Sequence, residues 1–201
     1  MQIIDKSYFN KQNYLHIPLS VVDPSGTPNN ATELDNLCIK IERDLLLNAL
    51  GLTLYNELKV LTDVTIVGNR FEGLVNGEEY DEKVWEGLKN DYSLIAYRIF
   101  EQFTHDSNTR LSATGVTKVN AENATDQTPA YLIANANNEF INKYQGDYLD
   151  EPYVYNGFID WFGCNSIEKS LYGYLMDKKD LFPEWDYLKF KVYKSKNSFG
   201  I

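Results

Sequence analysis

The first clear helical pattern along the chain begins at Thr32, where Thr-x-x-Asp resembles a capping box with a shorter acid. Apolar side chains then recur every three or four positions, the spacing of one face of an α-helix: Leu34, Leu37, Cys38, Ile41, Leu45 and Ala49. We expect Gly51 to end or kink this helix, because glycine readily takes the conformation that terminates helices. A second short helix is predicted over residues 52–61, with Leu54, Leu58 and Leu61 on one side.

The strongest helical pattern covers residues 81–105, from which we predict one long central helix. Its apolar stripe consists of Val84, Trp85, Leu88, Tyr92, Ile95, Ala96, Ile99 and Phe103. Acidic residues fall near its first turn, where the helix dipole favours negative charge. At about 1.5 Å per residue, this helix would be more than about 30 Å long. Trp85 and Ile95 are therefore expected to be buried.

The segments on either side of this helix are predicted to be irregular or hairpin-like. Residues 62–80 combine strand-favouring Val64, Ile66 and Val67 with glycines and an Asn-Gly pair that favour turns. Residues 106–127 form a long polar span in which three apolar side chains flank Thr114-Gly115: Leu111, Val116 and Val119. Connections of this length inside a compact domain are usually functional. We predict a projecting loop whose three apolar side chains contact a neighbouring subunit.

Two further helices are predicted in the second half of the chain. Thr128-Pro129 marks a helix start, because proline is favoured at the first helical position. The buried face of this helix is predicted to contain Leu132, Ala136, Phe140 and Tyr144. Gly146 is expected to end it. A shorter helix is predicted over residues 166–177.

Both ends of the chain are predicted to be extended. Residues 1–31 contain three prolines and several apolar pairs, which favour an arm that cannot form a core by itself. Residues 187–194 alternate with a period of two, the pattern of a β-strand. The strand would place Leu188, Phe190 and Val192 on one face.

These elements predict a mainly α fold. We expect a helical bundle with a long central helix, a projecting hairpin-like loop and extended terminal arms. The predicted organisation is an N-terminal arm over residues 1–31, a helical core over 32–146 that carries loop 106–127, and an aromatic-rich region over 147–201 ending in a basic strand.

The distribution of charge along the chain adds a prediction about the C-terminal segment. The 201-residue chain has a net charge of −10, which argues against a protein that wraps nucleic acid through its phosphates. Residues 188–201 contain four lysines and no acid, which gives +4 and leaves −14 for the remainder. An edge strand invites pairing with another chain, while lysines discourage pairing with copies of itself. We therefore predict an interface with an acidic neighbour at Leu188, Lys189, Phe190, Lys191 and Val192.

Cysteine usage and composition indicate an ordinary soluble protein of a reducing compartment. Cys38 and Cys164 lie far apart in sequence and can form neither a CxxC motif nor a disulfide framework. Neither a signal-peptide pattern nor a membrane-length apolar run is apparent. The 15 tyrosines and 10 phenylalanines suit either an interface or the rim of an ordinary core.

No residue pattern in the sequence gives strong evidence for a catalytic or cofactor-binding site. His16 and His105 have no second ligand at a useful spacing for a metal. The glycines of residues 68–73 lack the Lys-Ser or Lys-Thr pair of a phosphate loop. Acids over residues 78–82 suit the helix start predicted there better than a pair of catalytic carboxylates. We predict no enzymatic activity, no cofactor and no metal.

The chain resembles head-tail connector, or adaptor, proteins of tailed bacteriophages, especially those of Bacteroides-type and crAss-like phages. Three runs and two short motifs carry this resemblance within roughly residues 33–145. They are the run LLNALGLTLYNEL over residues 46–58, FEGLVNGEEY over 71–80, WEGLKNDYSLIAYRIFEQF over 85–103, and the pair of short motifs TGV at 114–116 and ENA at 122–124.

The resemblance implies a structural virion protein of the phage neck that is assembled in the host cytoplasm. Such proteins form a homo-oligomeric ring, here expected to contain twelve copies, that joins the portal to other neck or tail proteins. DNA passes through the ring during genome ejection without sequence-specific binding, and no membrane is involved. The family contributes no catalytic residues.

A different class of protein remains as the alternative. Trp161, Phe162 and Trp185, with tyrosines nearby, would suit a module that binds a small ligand such as a carbohydrate by stacking on its ring. The helical pattern of residues 81–145 fits such a module poorly.

Overall fold

A computed structural model describes residues 2–10, 15–17, 30–107, 109–112, 115–118, 130–146 and 167–194. The protein is mainly α-helical, which confirms the predicted class. In the described part of the chain the α-helices are α1 (Asn30–Val60), α2 (Glu72–Asn76), α3 (Leu94–Ser107), α4 (Ala130–Gln145) and α5 (Leu171–Asp177). Two 3₁₀ helices, Lys6–Asn10 and Tyr187–Lys189, lie near the ends.

The long helix of the fold is α1, which extends over 31 residues. The predicted interruption at Gly51 is confirmed, since this residue has φ of 80° and ψ of 171°. No atom lies within 4 Å of where a Cβ would stand at Gly51, so backbone conformation rather than crowding favours glycine there. Both halves of α1 contribute buried side chains to the core: Leu34, Cys38, Leu45, Ala49, Leu54 and Leu58.

The prediction of one helix over residues 81–105 is wrong in its first half. Strands β1 (Glu78–Tyr80) and β2 (Lys83–Trp85) form an antiparallel hairpin, and α3 begins only at Leu94. Between the hairpin and α3, the chain pairs with the end of α2: the N–H groups of residues 88 and 89 donate to carbonyls of residues 74 and 75, at 3.1 and 2.8 Å.

The apolar stripe led to a wrong prediction because the buried side chains of its first half point inward without being part of a helix. Trp85 and Ile95 are buried as predicted, but Trp85 points inward from a strand and donates its indole N–H to the carbonyl of Leu74 at 3.0 Å. Gly87 has φ of 87°, which is outside the helical region. Tyr92, which the helix would have buried, is 49% exposed.

The β1–β2 hairpin is joined in parallel by a segment from late in the chain. The N–H of Val84 donates to the carbonyl of Ile167, and the N–H of Lys169 donates to the carbonyl of Val84, both at 2.8 Å. Residues 62–80, predicted to be irregular or hairpin-like, form turns over 63–68 and end in β1, but they also contain α2, which was not predicted.

The predicted hairpin within residues 106–127 is confirmed where the structure describes it. Strands β3 (Thr109–Ser112) and β4 (Gly115–Lys118) are antiparallel, with Leu111 opposite Val116. Val119 lies outside the described residues.

Helices α3 and α4 pack against each other and complete one side of the core. Ala136, Phe140 and Tyr144 of α4 are buried as predicted, whereas Leu132, in the first turn of this helix, is 44% exposed. Gly146 ends α4 with φ of 81°, and its N–H donates to the carbonyls of Ile141 and Asn142. Helix α5 is shorter than predicted, since the Ser170 hydroxyl caps it by accepting the N–H of Gly173.

The described part of the N-terminal arm is not extended away from the core. It contains a 3₁₀ helix and packs its apolar side chains into the same core as the helices. The buried members are Ile3, Ile4, Tyr8, Phe9, Leu15 and Ile17. Residues 18–29 of the predicted arm lie outside the described residues.

Glu42 on α1 binds the start of this arm. Its Oε2 accepts the N–H groups of Ile3 and Ile4 at 2.9 and 3.0 Å, and the side chain is almost fully buried. Burial raises the pKa of Glu42 above its ordinary value, although both hydrogen bonds oppose this change.

The raised pKa predicts how Glu42 affects stability. The folded protein holds a proton on Glu42 more tightly than the unfolded chain, so this group stabilises most below about pH 4.5. As the pH rises from about 4.5 through the pKa of Glu42 in the folded protein, the stabilising contribution of Glu42 falls. Above that pKa the contribution is constant. Glu42→Gln removes this dependence. We expect the unfolding free energy of wild type, measured by urea denaturation between about pH 4 and 7, to decline relative to that of Glu42→Gln.

Glu42→Ala provides the matched control for the hydrogen bonds. It leaves two buried N–H groups without an acceptor, which is expected to cost about 2–4 kcal/mol at neutral pH. Equal stability of the alanine and glutamine variants would contradict the role of Glu42 as an acceptor.

The C-terminal tail is not the predicted strand. Asp186 caps a 3₁₀ turn over Tyr187–Lys189 by accepting the N–H of Leu188 at 3.1 Å. Phe190 then inserts into an aromatic cluster and stacks on Tyr144 with ring centroids 4.6 Å apart. Leu188 and Val192 are exposed, so the three side chains predicted for one face do not share one. Strong aromatic packing at one position overrides the alternating pattern.

Candidate interaction surface

The tail between residues 190 and 194 is fixed to the helices by main-chain contacts. The N–H of Lys191 donates to the carbonyl of Asn48 on α1 at 3.2 Å. Gln145 at the end of α4 makes two hydrogen bonds to Tyr193, accepting its N–H at 2.7 Å and donating to its carbonyl at 2.8 Å. The backbone is thus held on two helices, which orients the side chains that point away from them.

Four of the five tail residues predicted for an interface point outward. Leu188 is 78% exposed and Val192 is 43% exposed, and Lys189 and Lys191 are exposed beside them. We call these four residues the tail surface. The fifth, Phe190, is buried in the core of its own chain and is therefore not available to a partner in this structure.

A groove of about 330 Å³ borders the tail surface. Lys191 and Tyr193 of the tail and Asp44 and Asn48 of α1 are among the residues that line it. Arg98 of α3 also lines the groove, where its guanidinium lies 5.6 Å from the ring centroid of Phe140 and 5.5 Å from that of Tyr193. Arg98 is paired with the buried Glu101, so the charges around the groove are mixed.

A second exposed apolar group, which the sequence pattern did not identify as a surface, follows α1. Val60, Val64 and Val67 are 76%, 83% and 69% exposed. The turn that carries the last two is held by Thr62 and Thr65, whose hydroxyls each accept an N–H of the other residue. We call these three residues the valine turn.

The predicted hairpin residues are placed elsewhere. β3 follows α3 and contacts it, whereas the tail lies on α1 and α4. Leu111 and Val116 are backbone register partners in the β3–β4 ladder.

A charge cluster links the β1–β2 hairpin to α5. The Oδ2 atom of Asp177 lies 2.9 Å from Lys83 Nζ, 3.2 Å from Tyr80 OH and 3.5 Å from the wholly buried Lys169 Nζ. Lys178 pairs with Glu78 of β1 at 2.6 Å. The cluster holds elements distant in sequence together, and sequence spacing contained no signal for it.

The described tryptophans do not offer a stacking platform for a carbohydrate. Trp185 is 3% exposed, and its indole N–H donates to the carbonyl of Ala49 at 2.8 Å. Trp161 and Phe162 lie outside the described residues. The alternative function therefore loses Trp185, the described member of the three residues named for its stacking group.

Among the described residues, the side chains that could react or bind a metal do not gather in one place. His105 lies 3.2 Å from Asp106 at an exposed helix end, and His16 is also exposed. Cys38 is buried, and burial raises the pKa of its thiol to about 12. Within the described ranges, no three His, Cys, Asp or Glu side chains gather as a metal site would require. Among the same residues, no helix has the length and apolar character needed to span a membrane.

Comparisons with protein-family models, curated proteins and solved structures find no match to this chain.

Proposed function

We propose that this protein is a structural subunit of a bacteriophage neck. In this proposal, copies of the chain form a ring that joins the portal to the tail and surrounds the DNA channel. The observation that carries the proposal is the tail surface, where exposed apolar and basic side chains stand on a backbone fixed to two helices. The resemblance to phage connectors supports the same assignment.

A surface whose backbone is already ordered loses little conformational freedom when it binds a partner. Hydrogen bonds to the Asn48 carbonyl and to the Gln145 side chain already order the tail backbone before any partner arrives. Association therefore needs to order few additional residues, and more of the contact energy is retained as affinity. Leu188 and Val192 supply apolar area, and Lys189 and Lys191 supply charge.

The charge of the chain suggests what the lysines contact. Because the net charge is −10, a second copy offers acidic surface to the tail lysines. Part of this attraction acts over a distance and should weaken as the Debye length falls from about 10 Å at 0.1 M salt to about 3 Å at 1 M. An acidic channel lining would also repel DNA and keep it mobile during ejection.

Leu188→Asp combined with Val192→Asp tests the tail surface. Both side chains are exposed, so we expect the variant to fold with unchanged helical content and lose at least tenfold in the affinity of assembly. The loss is expected because charge replaces apolar contact area in the interface. Native mass spectrometry and analytical ultracentrifugation measure the oligomer.

Ile39→Asp is the matched control, since Ile39 is an exposed apolar residue on the surface of α1. It should leave assembly intact. If the tail variant assembles normally, the tail surface is not part of the contact between subunits of the ring.

The whole function requires a separate experiment. We expect the chain, co-expressed with the portal protein of the same phage, to form a symmetric ring on the portal that is visible by electron microscopy. A chain that stays monomeric at all concentrations and does not bind the portal would contradict the proposal.

A further inference from the structure

The β1–β2 hairpin and residues 167–169 form a small sheet that packs one of its faces on α5. On this face, the ring of Trp85 stacks on that of Tyr174 with centroids 5.4 Å apart, and Tyr80 meets Tyr174 edge to face at 6.0 Å. The charge cluster around Asp177 also joins this face to α5. The sheet is therefore held in one position on the body of the protein.

The opposite face of the sheet carries a row of exposed acids around an apolar side chain. Glu79 of β1 and Glu168 are both register partners of Val84 in β2, so the three side chains lie in one row across the strands. Both glutamates are exposed and Val84 is half-buried. We call these three residues the hairpin face. Ile167, the residue before Glu168, is 69% exposed.

The two acids of the hairpin face have no counterion in the described part of the chain. Glu86, which follows β2, pairs with Lys143 of α4. Neither Glu79 nor Glu168 has an ion-pair partner among the described residues. The turn of the hairpin adds two more exposed acids, at positions 81 and 82. The hairpin therefore presents negative charge that its own chain does not neutralise within the described ranges.

The tail surface combines the opposite charge with apolar side chains. Lys191 has no ion-pair partner among the described residues, and Lys189 pairs only at the surface, with Asp186 at 3.1 Å, while its side chain stays 83% exposed. Leu188 and Val192 are the exposed apolar members. Within the described ranges, no ion pair joins the tail surface to the hairpin face of the same chain.

The spacing of charges on the two surfaces is compatible. Adjacent strands of a sheet lie about 4.8 Å apart, so Glu79 and Glu168 are separated by about 10 Å with Val84 between them. Lysine carries its charge on a flexible four-carbon stem, and Lys189 and Lys191 can therefore adjust to this separation.

We infer that the tail surface of one copy binds the hairpin face of the next copy. This inference rests on the proposed function, because it names the partner of the tail surface in the ring. Charge complementarity selects this pairing, and Val84 with the exposed Ile167 supplies apolar area for Leu188 and Val192. Two different surfaces are joined, so each copy uses one surface on each neighbour, which is the arrangement of a head-to-tail ring.

Paired charge reversals test this contact. The face variant carries Glu79→Lys and Glu168→Lys, and the tail variant carries Lys189→Glu and Lys191→Glu. All four side chains are exposed, so both variants should keep the helical content of wild type. Each variant alone should lose at least tenfold in the affinity of assembly, measured by analytical ultracentrifugation, because like charges then oppose each other in the contact.

An equimolar mixture of the two variants should assemble again. The reversed face of one chain then meets the reversed tail of the other, and the two unchanged surfaces also pair, so the two chains alternate around the ring. Native mass spectrometry of differently tagged chains should show equal numbers of each. Glu33→Lys with Asp106→Lys is the matched control, since it reverses two exposed acids at the start of α1 and the end of α3. The control should assemble alone as wild type does.

Normal assembly of the face variant alone would overturn the inference and leave the tail surface in the ring contact. Loss of assembly in both variants without recovery in the mixture would also overturn it, because the tail surface would then bind a different surface. A wild-type chain that forms no oligomer would contradict the proposed function, and this inference with it.

Discussion

Truncation after Tyr187 is expected to unfold the protein or leave it without fixed tertiary packing. The deletion removes Phe190 from the aromatic cluster and uncovers Tyr144 and Trp185, which are almost fully buried. It also removes both hydrogen-bond partners that Tyr193 provides to Gln145. Loss of the phenylalanine alone should cost about 3–5 kcal/mol, a large part of the about 5–15 kcal/mol typical of a folded protein.

Near-ultraviolet circular dichroism and thermal melting measure this effect. Truncation after Lys194 is the control, because it keeps every contact just described, and it should melt near the wild-type temperature. Phe190→Ala in the full chain should be intermediate. A protein truncated after Tyr187 that melts like wild type would contradict the packing of the tail.

Gly87→Ala is expected to destabilise the protein by more than about 3 kcal/mol. Gly87 lies against the turn after α2, where an added Cβ would meet the backbone nitrogen of Gly77 and come within 2.7 Å of the carbonyl oxygen of Val75. Its φ of 87° is also unfavourable for alanine. Backbone atoms cannot move aside as a flexible side chain can, so the hairpin would separate from α2. Urea denaturation measures the loss.

Gly68→Ala separates the two causes. Gly68 has a similar φ of 73°, but no atom lies within 4 Å of where its Cβ would stand. Only the conformational cost applies there, about 1–2 kcal/mol. Equal losses at both glycines would show that close packing at Gly87 is unimportant.

Local signals predicted much of this fold. The kink at Gly51 and the end of α4 at Gly146 follow from the conformational freedom of glycine, which acts within a few residues. The mainly α class and the buried face around Phe140 follow from helical spacing. These features depend on short-range geometry, which a single sequence contains.

Residues 81–93 show where such prediction fails. Apolar spacing fitted a helix, but the segment is held by pairing with the end of α2 and by contact between Gly77 and Gly87. Gly87 and the Asn90-Asp91 turn were signals against a helix. The spacing of apolar residues indicates which side chains point inward. It does not distinguish a helix from a hairpin, because a hairpin can also direct its side chains into the core.

The candidate interface was predicted in part. Leu188, Lys189, Lys191 and Val192 are exposed, whereas Phe190 is internal because its aromatic partners come from distant parts of the chain. The valine turn was missed because Val64 and Val67 also suit a strand. The spacing of Thr62 and Thr65 was the signal for a turn.

The shared core of the arm and the tail has a consequence for biosynthesis. Ile4 and Phe9, near the start of the chain, belong to the same hydrophobic core as Phe190, near its end. A ribosome makes Phe190 long after Ile4 and Phe9, so the core cannot close until this later segment has emerged. Contacts of such long sequence separation also slow folding. Newly made chains therefore spend an interval with the core incomplete, and neighbouring nascent chains could meet before each has closed on itself.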